Sequence, residues 1–280
     1  MMSQSLSFKK SKTYIYLQNL FSARNIDEKD KVTIGGYKFF SEEVDEIQDC
    51  LSCDAGDTMY KMIFSFLSAL SDMELKNYSW ATIKFYYSIF YYMKSKLLFD
   101  GIHITYFNNC AYALNIKNKN KMICLDRNKK NSHQVVFDYY FQEFSQRDKL
   151  LMLEINDEDS EEMSNLYKWY ENKRNIVNYR SIRFEEPLIY DFWEQVIDYD
   201  NIEDLFNNII KDEVDYVYAT NEDYAIIAIP IFCLINMIIT VNVKEFLSDD
   251  EFNCLKKFIN QNTYCEKLFN SISTIKNVEF

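Results

Sequence analysis

The residue types best suited to chemistry lie together in one ten-residue stretch, ENKRNIVNYR, at positions 171–180. The stretch follows a candidate helix over Met163–Tyr170 and precedes Pro187, one of only two prolines in the chain. Its polar side chains can bind anions, satisfy backbone carbonyls or, for a tyrosine whose pKa is lowered, transfer protons. The candidate site residues are Arg174, Asn175, Asn178, Tyr179 and Arg180.

Helix geometry leaves three interpretations of this stretch open. Successive residues of an α-helix turn by about 100°, so we expect Arg174 and Asn178 to share one face and Asn175 and Tyr179 another. In the first interpretation the stretch is a polar clasp. Arg174 then pairs with Glu171 or with a carboxylate of a neighbouring helix, and the later polar residues satisfy carbonyls at the helix end. In the other two interpretations it is a binding site for a ligand or partner, or a catalytic site.

An aromatic helix over Asn77–Gly101, NYSWATIKFYYSIFYYMKSKLLFDG, is predicted to stand at the centre of the fold. A helix that is apolar nearly all round is normally surrounded by other elements, and Gly101 is well placed to end it at the C′ position. Lys84 in this helix would be costly to bury unpaired. We therefore expect Lys84 to meet an acidic side chain, or to contact a partner or ligand.

The composition predicts a mainly α fold, a multi-helix bundle. Only four glycines and two prolines occur among 280 residues, of which 48% are hydrophobic and 17% aromatic. Sheet-rich folds need frequent turns with Gly or Pro, whereas this chain shows helical apolar spacing, for example over Ser41–Asp72. A small N-terminal β-hairpin is predicted at Val32–Phe40. The predicted organisation is an N-terminal extension, residues 1–58, packed on a helical domain, residues 59–280.

Net charge and cysteine usage limit the functional classes. The net charge of −12 disfavours general nucleic-acid binding, because a uniformly acidic protein repels phosphate backbones. A basic run at 115–133 is either a solvated loop or a phosphate-contacting patch. Seven cysteines without framework spacing predict reduced thiols and a cytoplasmic location. The lone Cys50-x-x-Cys53 pair is far in sequence from His103 and His133, so no metal site is predicted.

No membrane attachment is predicted. The N-terminus lacks the apolar segment of a signal peptide. The run Ala225–Val243 is long enough to be tested as a membrane span, but it contains Pro230, Asn236 and Asn242 and is flanked by acidic residues without a Lys/Arg bias. We therefore expect a fully buried core helix.

The order of these elements resembles the HEPN superfamily, small helical bundles common in prokaryotic toxin–antitoxin and antiphage systems. The resemblance rests on the aromatic helix WATIKFYYSIFYYMKSKLLFDGI, which ends at a glycine, and on a later helix that ends in KRNIVNYR. The chain looks most similar to larger HEPN-like proteins of the YaaC type, in which a buried late helix also follows the arginine-containing one. The resemblance covers roughly residues 60–245.

HEPN ribonucleases carry an arginine, usually followed by an asparagine, and then a histidine after four to six residues. Arg174 and Asn175 match the beginning of this motif, whereas Tyr179 stands where the histidine is expected and no histidine follows His133. A tyrosine has an unperturbed pKa near 10, so only about one in a thousand is ionised at pH 7 and able to act as a general base. Neighbouring Arg174 and Arg180 would have to form a strongly electropositive pocket to lower the pKa of Tyr179 sufficiently.

The resemblance implies two functions. In the first, the chain is a non-catalytic or weakly catalytic HEPN-like subunit of a prokaryotic antiviral-defence complex that needs no cofactor. It would dock an ABC/SMC-type ATPase or a nuclease encoded in the same operon, with homodimer formation allowed and any nucleic-acid contact weak or indirect. In the alternative, the chain is a divergent metal-independent ribonuclease that uses Arg174, Asn175 and Tyr179 and grips RNA with the basic loop at 117–130.

Overall fold

The computed structural model describes residues 10–117, 120–125, 132–156, 163–180, 184–186, 190–212 and 214–277. Within these ranges the chain forms thirteen α-helices, and its five strands are only three to six residues long. The mainly α prediction is therefore confirmed. Pro187 and parts of the predicted basic run lie outside the described residues.

The helices and strands follow one another along the chain with few long connections. The helices are α1 (Lys12–Ala23), α2 (Lys31–Gly36), α3 (Ser41–Glu74), α4 (Tyr78–Phe99), α5 (Ser132–Phe144), α6 (Leu166–Asn175), α7 (Glu194–Ile197), α8 (Ile202–Lys211), α9 (Val217–Thr220), α10 (Glu222–Thr240), α11 (Val243–Phe246), α12 (Asp249–Gln261) and α13 (Thr263–Lys276). The strands are β1 (Ile102–Phe107), β2 (Cys110–Asn115), β3 (Lys121–Cys124), β4 (Glu154–Asn156) and β5 (Met163–Asn165). A π-helical turn, Ile176–Arg180, continues directly from α6.

The chain divides into two compact units that are both discontinuous in sequence. The first unit comprises Met1–Asp57 and Lys94–Val136, and the second comprises Thr58–Met93 and Phe137–Phe280. The long helices α3 and α4 each contribute residues to both units. The segment 94–136 thus joins the N-terminal residues, a grouping that the sequence-based division into 1–58 and 59–280 does not include.

The first unit contains a three-stranded antiparallel sheet in the order β1-β2-β3. Asn108 and Asn109 form the two-residue connection between β1 and β2, with positive φ angles of 44° and 59°. Two-residue hairpin turns of this kind need positive φ at both positions, and asparagine tolerates that conformation better than most residues. The hairpin therefore needs no glycine.

The predicted hairpin at Val32–Phe40 is wrong in its position. Residues Lys31–Gly36 form the short helix α2, in which the Asp30 side chain accepts a hydrogen bond from the Thr33 backbone N–H and caps the first turn. Only a single bridge, from Lys38 to Lys121 of β3, has β character in this region. Tertiary packing decides the conformation here: a Cβ at Gly35 would lie 2.9 Å from the Cys124 Cβ, so glycine permits the close approach of α2 to β3.

Helix α4 has the central, apolar character that its sequence predicts. Most of its side chains are buried, and it ends near Gly101, whose φ of +77° places it in the left-handed region. The Gly101 N–H donates to the Leu98 carbonyl at 3.1 Å, which satisfies a free acceptor at the helix end. At the other end of α4, the Glu186 carboxylate accepts hydrogen bonds from the Ser79 N–H at 2.7 Å and the Ser79 hydroxyl at 2.8 Å.

Helix α10 of the second unit is the apolar segment that required a membrane test. It is the one helix in the described part of the chain with the length and hydropathy of a membrane span, and 72% of its most apolar window is buried inside the protein. It begins three residues before the predicted segment, at Glu222, with the Asn221 side chain as its N-cap. The prediction of a buried core helix is confirmed.

A buried carboxylate in the second unit is held by tyrosine hydroxyls. Asp148 accepts hydrogen bonds from the hydroxyls of Tyr140 at 2.6 Å and Tyr167 at 3.2 Å and from the Leu150 backbone N–H at 3.0 Å. The Tyr167 hydroxyl also lies 3.9 Å from the Cys233 thiol of α10. Burial raises the pKa of both tyrosines well above the usual value, and the negative charge of Asp148 adds to that effect. These tyrosines therefore remain protonated and act as donors.

Candidate functional site

The stretch 171–180 is not one regular α-helix. The candidate helix Met163–Tyr170 begins as strand β5, Asn165 caps α6 through a hydrogen bond from the Tyr167 N–H, and α6 runs on to Asn175. The π-helical turn Ile176–Arg180 then widens the winding, because its hydrogen bonds join residues five apart. The predicted facing pairs, which assumed a turn of 100° per residue, are therefore wrong beyond Asn175.

The Arg174 guanidinium lies among tyrosine rings. Its central carbon is 4.9 Å from the ring centroids of both Tyr86 and Tyr179 and 6.0 Å from that of Tyr87. Tyr179 lies five residues after Arg174, and the π-helical turn brings its ring over the guanidinium. A guanidinium within about 6 Å of an aromatic centroid is attracted by the ring electrons, by roughly 0.5–2 kcal/mol depending on exposure. Tyrosines on α4 and on the π turn thus hold the cation from two sides.

Within the described residues, Arg174 has polar contacts with Asn175 and Tyr87. Its Nη1 donates to the Asn175 side-chain oxygen at 2.9 Å, whereas its buried Nε has no hydrogen-bond partner among the described residues. None of the ion pairs found within the described ranges involves Arg174. Within the described residues, the ion pair of Arg174 that the clasp interpretation predicts is not found, although the charge of Arg174 acts on the Glu171 carboxyl.

The electrostatics keep Arg174 charged. Burial acts to lower its pKa, but a hydrogen bond with Tyr87 and the neighbouring tyrosines outweigh burial, so the pKa is raised. Burial raises the pKa of the nearby Glu171 carboxyl, and the charge of Arg174 opposes that rise. Burial also raises the pKa of Tyr86, so even less of this phenol is ionised at neutral pH than of a free tyrosine. Arg174 is thus a charged side chain that the neighbouring tyrosine rings hold in place.

Neither histidine is among the contacts described for Arg174. His103 lies in β1, and His133 lies in α5, within the part of that helix that belongs to the first unit. Burial, with a smaller effect from Lys94, lowers the pKa of His103 to about 4, and its Nδ1 has no hydrogen-bond partner in the described chain. His103 is therefore neutral at physiological pH and part of a packed core.

The end of the stretch is a surface feature. Asn178, Tyr179 and Arg180 are all exposed, and Tyr179 keeps 68% of its surface accessible although its ring contacts Arg174. No side-chain hydrogen bond of Asn178 or Arg180 is found within the described residues, and their predicted role of satisfying carbonyls at the helix end stays a prediction. These three side chains and Arg174 make up what we call the Arg174 surface.

A residue that sequence reasoning missed, Lys173, provides the clasp instead. Its side chain is only 3% exposed, and its Nζ lies 2.7 Å from the Glu222 carboxylate at the start of α10. The same carboxylate accepts a hydrogen bond from the Trp169 indole N–H at 3.3 Å, and Lys173 also lies 5.4 Å from the Trp169 ring. Trp169 and Lys173 are four residues apart on the buried face of α6. This spacing of a tryptophan and a lysine was the sequence feature from which a buried Lys173 could have been predicted.

Lys84 has the acidic partner that its position in an apolar helix predicts. Its Nζ lies 2.5 Å from the Asp72 carboxylate of α3, and both residues belong to the second unit. This confirms the expectation of an ion pair. A contact of Lys84 with another protein stays a prediction.

One face of α4 remains partly accessible along its length. Trp80 is 49% exposed, and Lys84, Tyr87 and Tyr91 are half-buried, whereas the residues between them are buried. Their spacing of four, three and four residues places them on one side of the helix. We call these four residues the α4 stripe. The Tyr87 ring stacks on that of Tyr91 at 6.2 Å and contacts Arg174, so the stripe adjoins the Arg174 surface.

The described residues offer no cluster of three or more His, Cys, Asp or Glu side chains that could hold a metal ion. All seven cysteines are free thiols. Burial, followed by the nearby Asp54, raises the pKa of Cys50 in the C-x-x-C pair, which disfavours the thiolate that metal binding requires.

The sequence matches no protein-family model, and comparisons with curated proteins and with solved structures find no significant similarity. The HEPN resemblance therefore stays a prediction. The geometry of the Arg174 surface and the α4 stripe carries the functional argument.

Proposed function

We propose that this chain is a non-catalytic, HEPN-like cytoplasmic subunit of a multiprotein prokaryotic assembly for antiviral defence. It would act by protein–protein contact with an ATPase or nuclease companion. The observation that carries the proposal is the Arg174 guanidinium, which is charged, framed by tyrosines and without an ion-pair partner in the described chain. The defence context and the type of companion come from the HEPN resemblance.

The chemistry of the Arg174 surface suits protein recognition. Arginine, tyrosine and tryptophan dominate the energetics of protein interfaces, where they serve as rigid anchors. The rings of Tyr86 and Tyr87 hold Arg174 in place before any partner arrives, which reduces the conformational entropy lost on binding. Exposed Tyr179 and Arg180 extend the same chemistry toward solvent.

No histidine is described around the Arg174 surface, which supports a non-catalytic role. The reaction needs a base for the 2′-hydroxyl proton and an acid for the leaving oxygen, and groups that titrate near neutral pH serve best. The groups described around Arg174 are three tyrosines, Asn175 and the Glu171 carboxyl; burial raises the pKa of Tyr86 and that of Glu171. One observation favours the divergent-ribonuclease alternative: Arg174 contacts both Asn175 and Tyr179, the other two proposed catalytic residues.

A co-purification experiment tests the proposal. The tagged chain is co-expressed with the products of its neighbouring genes, as wild type and as Arg174→Gln. Arg147→Gln is the matched control, because Arg147 also stacks on an aromatic ring, Phe144, at 4.3 Å but lies outside the Arg174 surface. We expect a companion to co-purify with wild type and Arg147→Gln, and its affinity to fall at least about tenfold in Arg174→Gln, as for loss of an interface anchor.

Two results would decide against the proposal. The first is a chain that purifies alone from the co-expressing cells. The second is cleavage of RNA by the purified wild-type chain that disappears in Arg174→Gln and Tyr179→Phe while their melting temperatures stay unchanged. That second result would establish the ribonuclease alternative.

A further inference from the structure

We infer that the α4 stripe and Arg174 together receive an amphipathic helix of the partner protein that presents one carboxylate to the guanidinium. The inference rests on the proposed function for the existence of a protein partner, and it adds the partner's secondary structure and charge. Trp80, Lys84, Tyr87 and Tyr91 form a row whose first and last members are eleven residue steps apart in α4. At 1.5 Å per residue the row is about 16 Å long, or about three helical turns.

A helix is the element that fits this row. The backbone donors and acceptors of α4 are used within the helix itself, so α4 offers an incoming strand no edge to pair with, and only side chains are available for recognition. Side chains spaced by four, three and four residues form a ridge that packs against a partner helix with the same apolar spacing. The aromatic members supply the apolar contacts; Trp80 keeps 49% of its surface exposed although its ring contacts that of Phe184 at 5.3 Å.

The charge expected on the partner helix depends on which of the two cations, Lys84 or Arg174, already has an ion-pair partner. Lys84 meets Asp72, whereas no ion pair within the described chain involves Arg174 beside Tyr87. A guanidinium binds a carboxylate through two parallel hydrogen bonds, a geometry that planar carboxylates match. The partner helix should therefore carry an aspartate or glutamate at the level of Tyr87, with apolar residues on either side along the row.

Long-range electrostatics favour a peptide carboxylate over a nucleic acid. The chain carries a net charge of −12. A nucleic acid presents a phosphate charge at every nucleotide and would be repelled along its whole length, whereas one carboxylate meets one fixed cation locally. Tighter binding of a nucleic acid than of any peptide would accordingly contradict the inference.

The test is a selection from a displayed library of helical peptides with randomised surface positions, using the purified full-length chain. The enriched peptides are synthesised together with versions in which each acidic residue becomes its amide. Fluorescence anisotropy then gives their affinities for wild type, Arg174→Gln, Trp80→Ala and the control Arg147→Gln. A single-stranded RNA of about 20 nucleotides is titrated in parallel, and circular dichroism verifies that each variant is folded.

We expect enriched peptides to share an acidic residue within apolar helical spacing and to lose at least about tenfold in affinity when that residue becomes an amide. The acid-to-amide difference should disappear in Arg174→Gln, whereas Trp80→Ala should weaken the acidic and the amide peptide equally. Arg147→Gln should behave as wild type. A selection that enriches no peptide, no acid preference, or RNA bound more tightly than any peptide would overturn the inference.

Co-purification of the companion protein distinguishes this inference from the proposed function. A companion that co-purifies and loses affinity in Arg174→Gln but not in Trp80→Ala would overturn the stripe as its docking row and leave the function standing. A chain that binds acidic helices in the peptide assay but purifies without any companion would contradict the function instead.

Discussion

The clasp between Lys173 and Glu222 gives the sharpest test of how the second unit is held together. Lys173 is 3% exposed and its Nζ is 2.7 Å from the Glu222 carboxylate, which itself is 23% exposed. Glu222→Gln keeps an acceptor for the Trp169 indole N–H but removes the charge that compensates the buried ammonium. Breaking a buried ion pair from one side costs about 3–5 kcal/mol, and partial access of water to Glu222 places the expected loss near about 3 kcal/mol.

Asp223→Asn is the matched control for this substitution. Asp223 also stands in the first turn of α10, so its replacement removes the same favourable interaction with the helix dipole, about 0.3–1 kcal/mol. Asp223 is exposed, and no ion pair in the described chain involves it. The difference between the two variants therefore isolates the clasp. Adding Lys173→Met to Glu222→Gln should restore most of the stability, because the buried charge is then gone as well.

Urea denaturation monitored by tryptophan fluorescence is the suitable assay. All three tryptophans, Trp80, Trp169 and Trp193, lie in the second unit, so the signal reports on the unit that contains the clasp. The midpoint shift multiplied by the m-value gives the change in the free energy of unfolding. The reasoning fails if Glu222→Gln costs no more than Asp223→Asn, or if the double variant is no more stable than Glu222→Gln alone.

Three further predictions concern the core and a chain reversal. Tyr140→Phe removes the shortest hydrogen bond to buried Asp148 and should lower the free energy of unfolding by about 1–3 kcal/mol, measured in urea, whereas an unchanged midpoint would mean that water replaces the hydroxyl. Gly101→Ala should cost about 1–2 kcal/mol in the same assay, because φ is +77° there; a neutral result would show that the turn relaxes. His103 has a folded-state pKa of about 4, below its usual 6.5, so the folded state binds its proton more weakly than the unfolded state does. The free energy of unfolding therefore falls as the pH drops from 6.5 toward 4, because the unfolded state takes up the His103 proton first. The total loss from this residue is about 3 kcal/mol. His103→Gln should therefore show a shallower fall of stability between pH 6.5 and 4 than wild type, and identical slopes would refute the assignment.

The sequence was most informative where local chemistry and global packing agree. Helix α4 is apolar all round, and Gly101 supplies the left-handed residue at its end, so both its burial and its termination could be predicted. Lys84 could be matched with an acid because a lone cation in an apolar helix is costly. The buried state of α10 followed from the polar residues that interrupt its apolar run.

The strands were missed because their turn signal is weak. Asn108-Asn109 takes the place of the Gly-containing pair that usually marks a two-residue hairpin, and the flanking segments are buried nearly throughout rather than alternating. The glycines at 35 and 36 looked like a turn, yet Gly35 serves the close packing of α2 on Cys124. The sequence alone does not show whether a glycine serves a turn or a close contact between two elements.

The structure brings Arg174, Asn175 and Tyr179 together, but the sequence did not indicate that Lys173 forms the buried ion pair. Lys173 and Arg174 are adjacent cations of similar length, and only the direction in which α6 docks decides which of them is buried against Glu222. Local composition carries no information about that direction. The π-helical turn was equally inaccessible, because a widened turn has no residue signature comparable to a glycine or a proline.

That turn has a consequence for how the surface can vary. A segment wound with i to i+5 hydrogen bonds holds one residue more than regular winding would place in the same turn. Loss of a single codon at Ile176 would relax it to an ordinary helix without rotating the residues that follow, and the tyrosine, then four residues after Arg174, would still lie on its face. Loss of a residue from a regular helix would instead rotate everything after it by about 100°. This part of the chain can therefore lose one residue and keep the direction in which its side chains point.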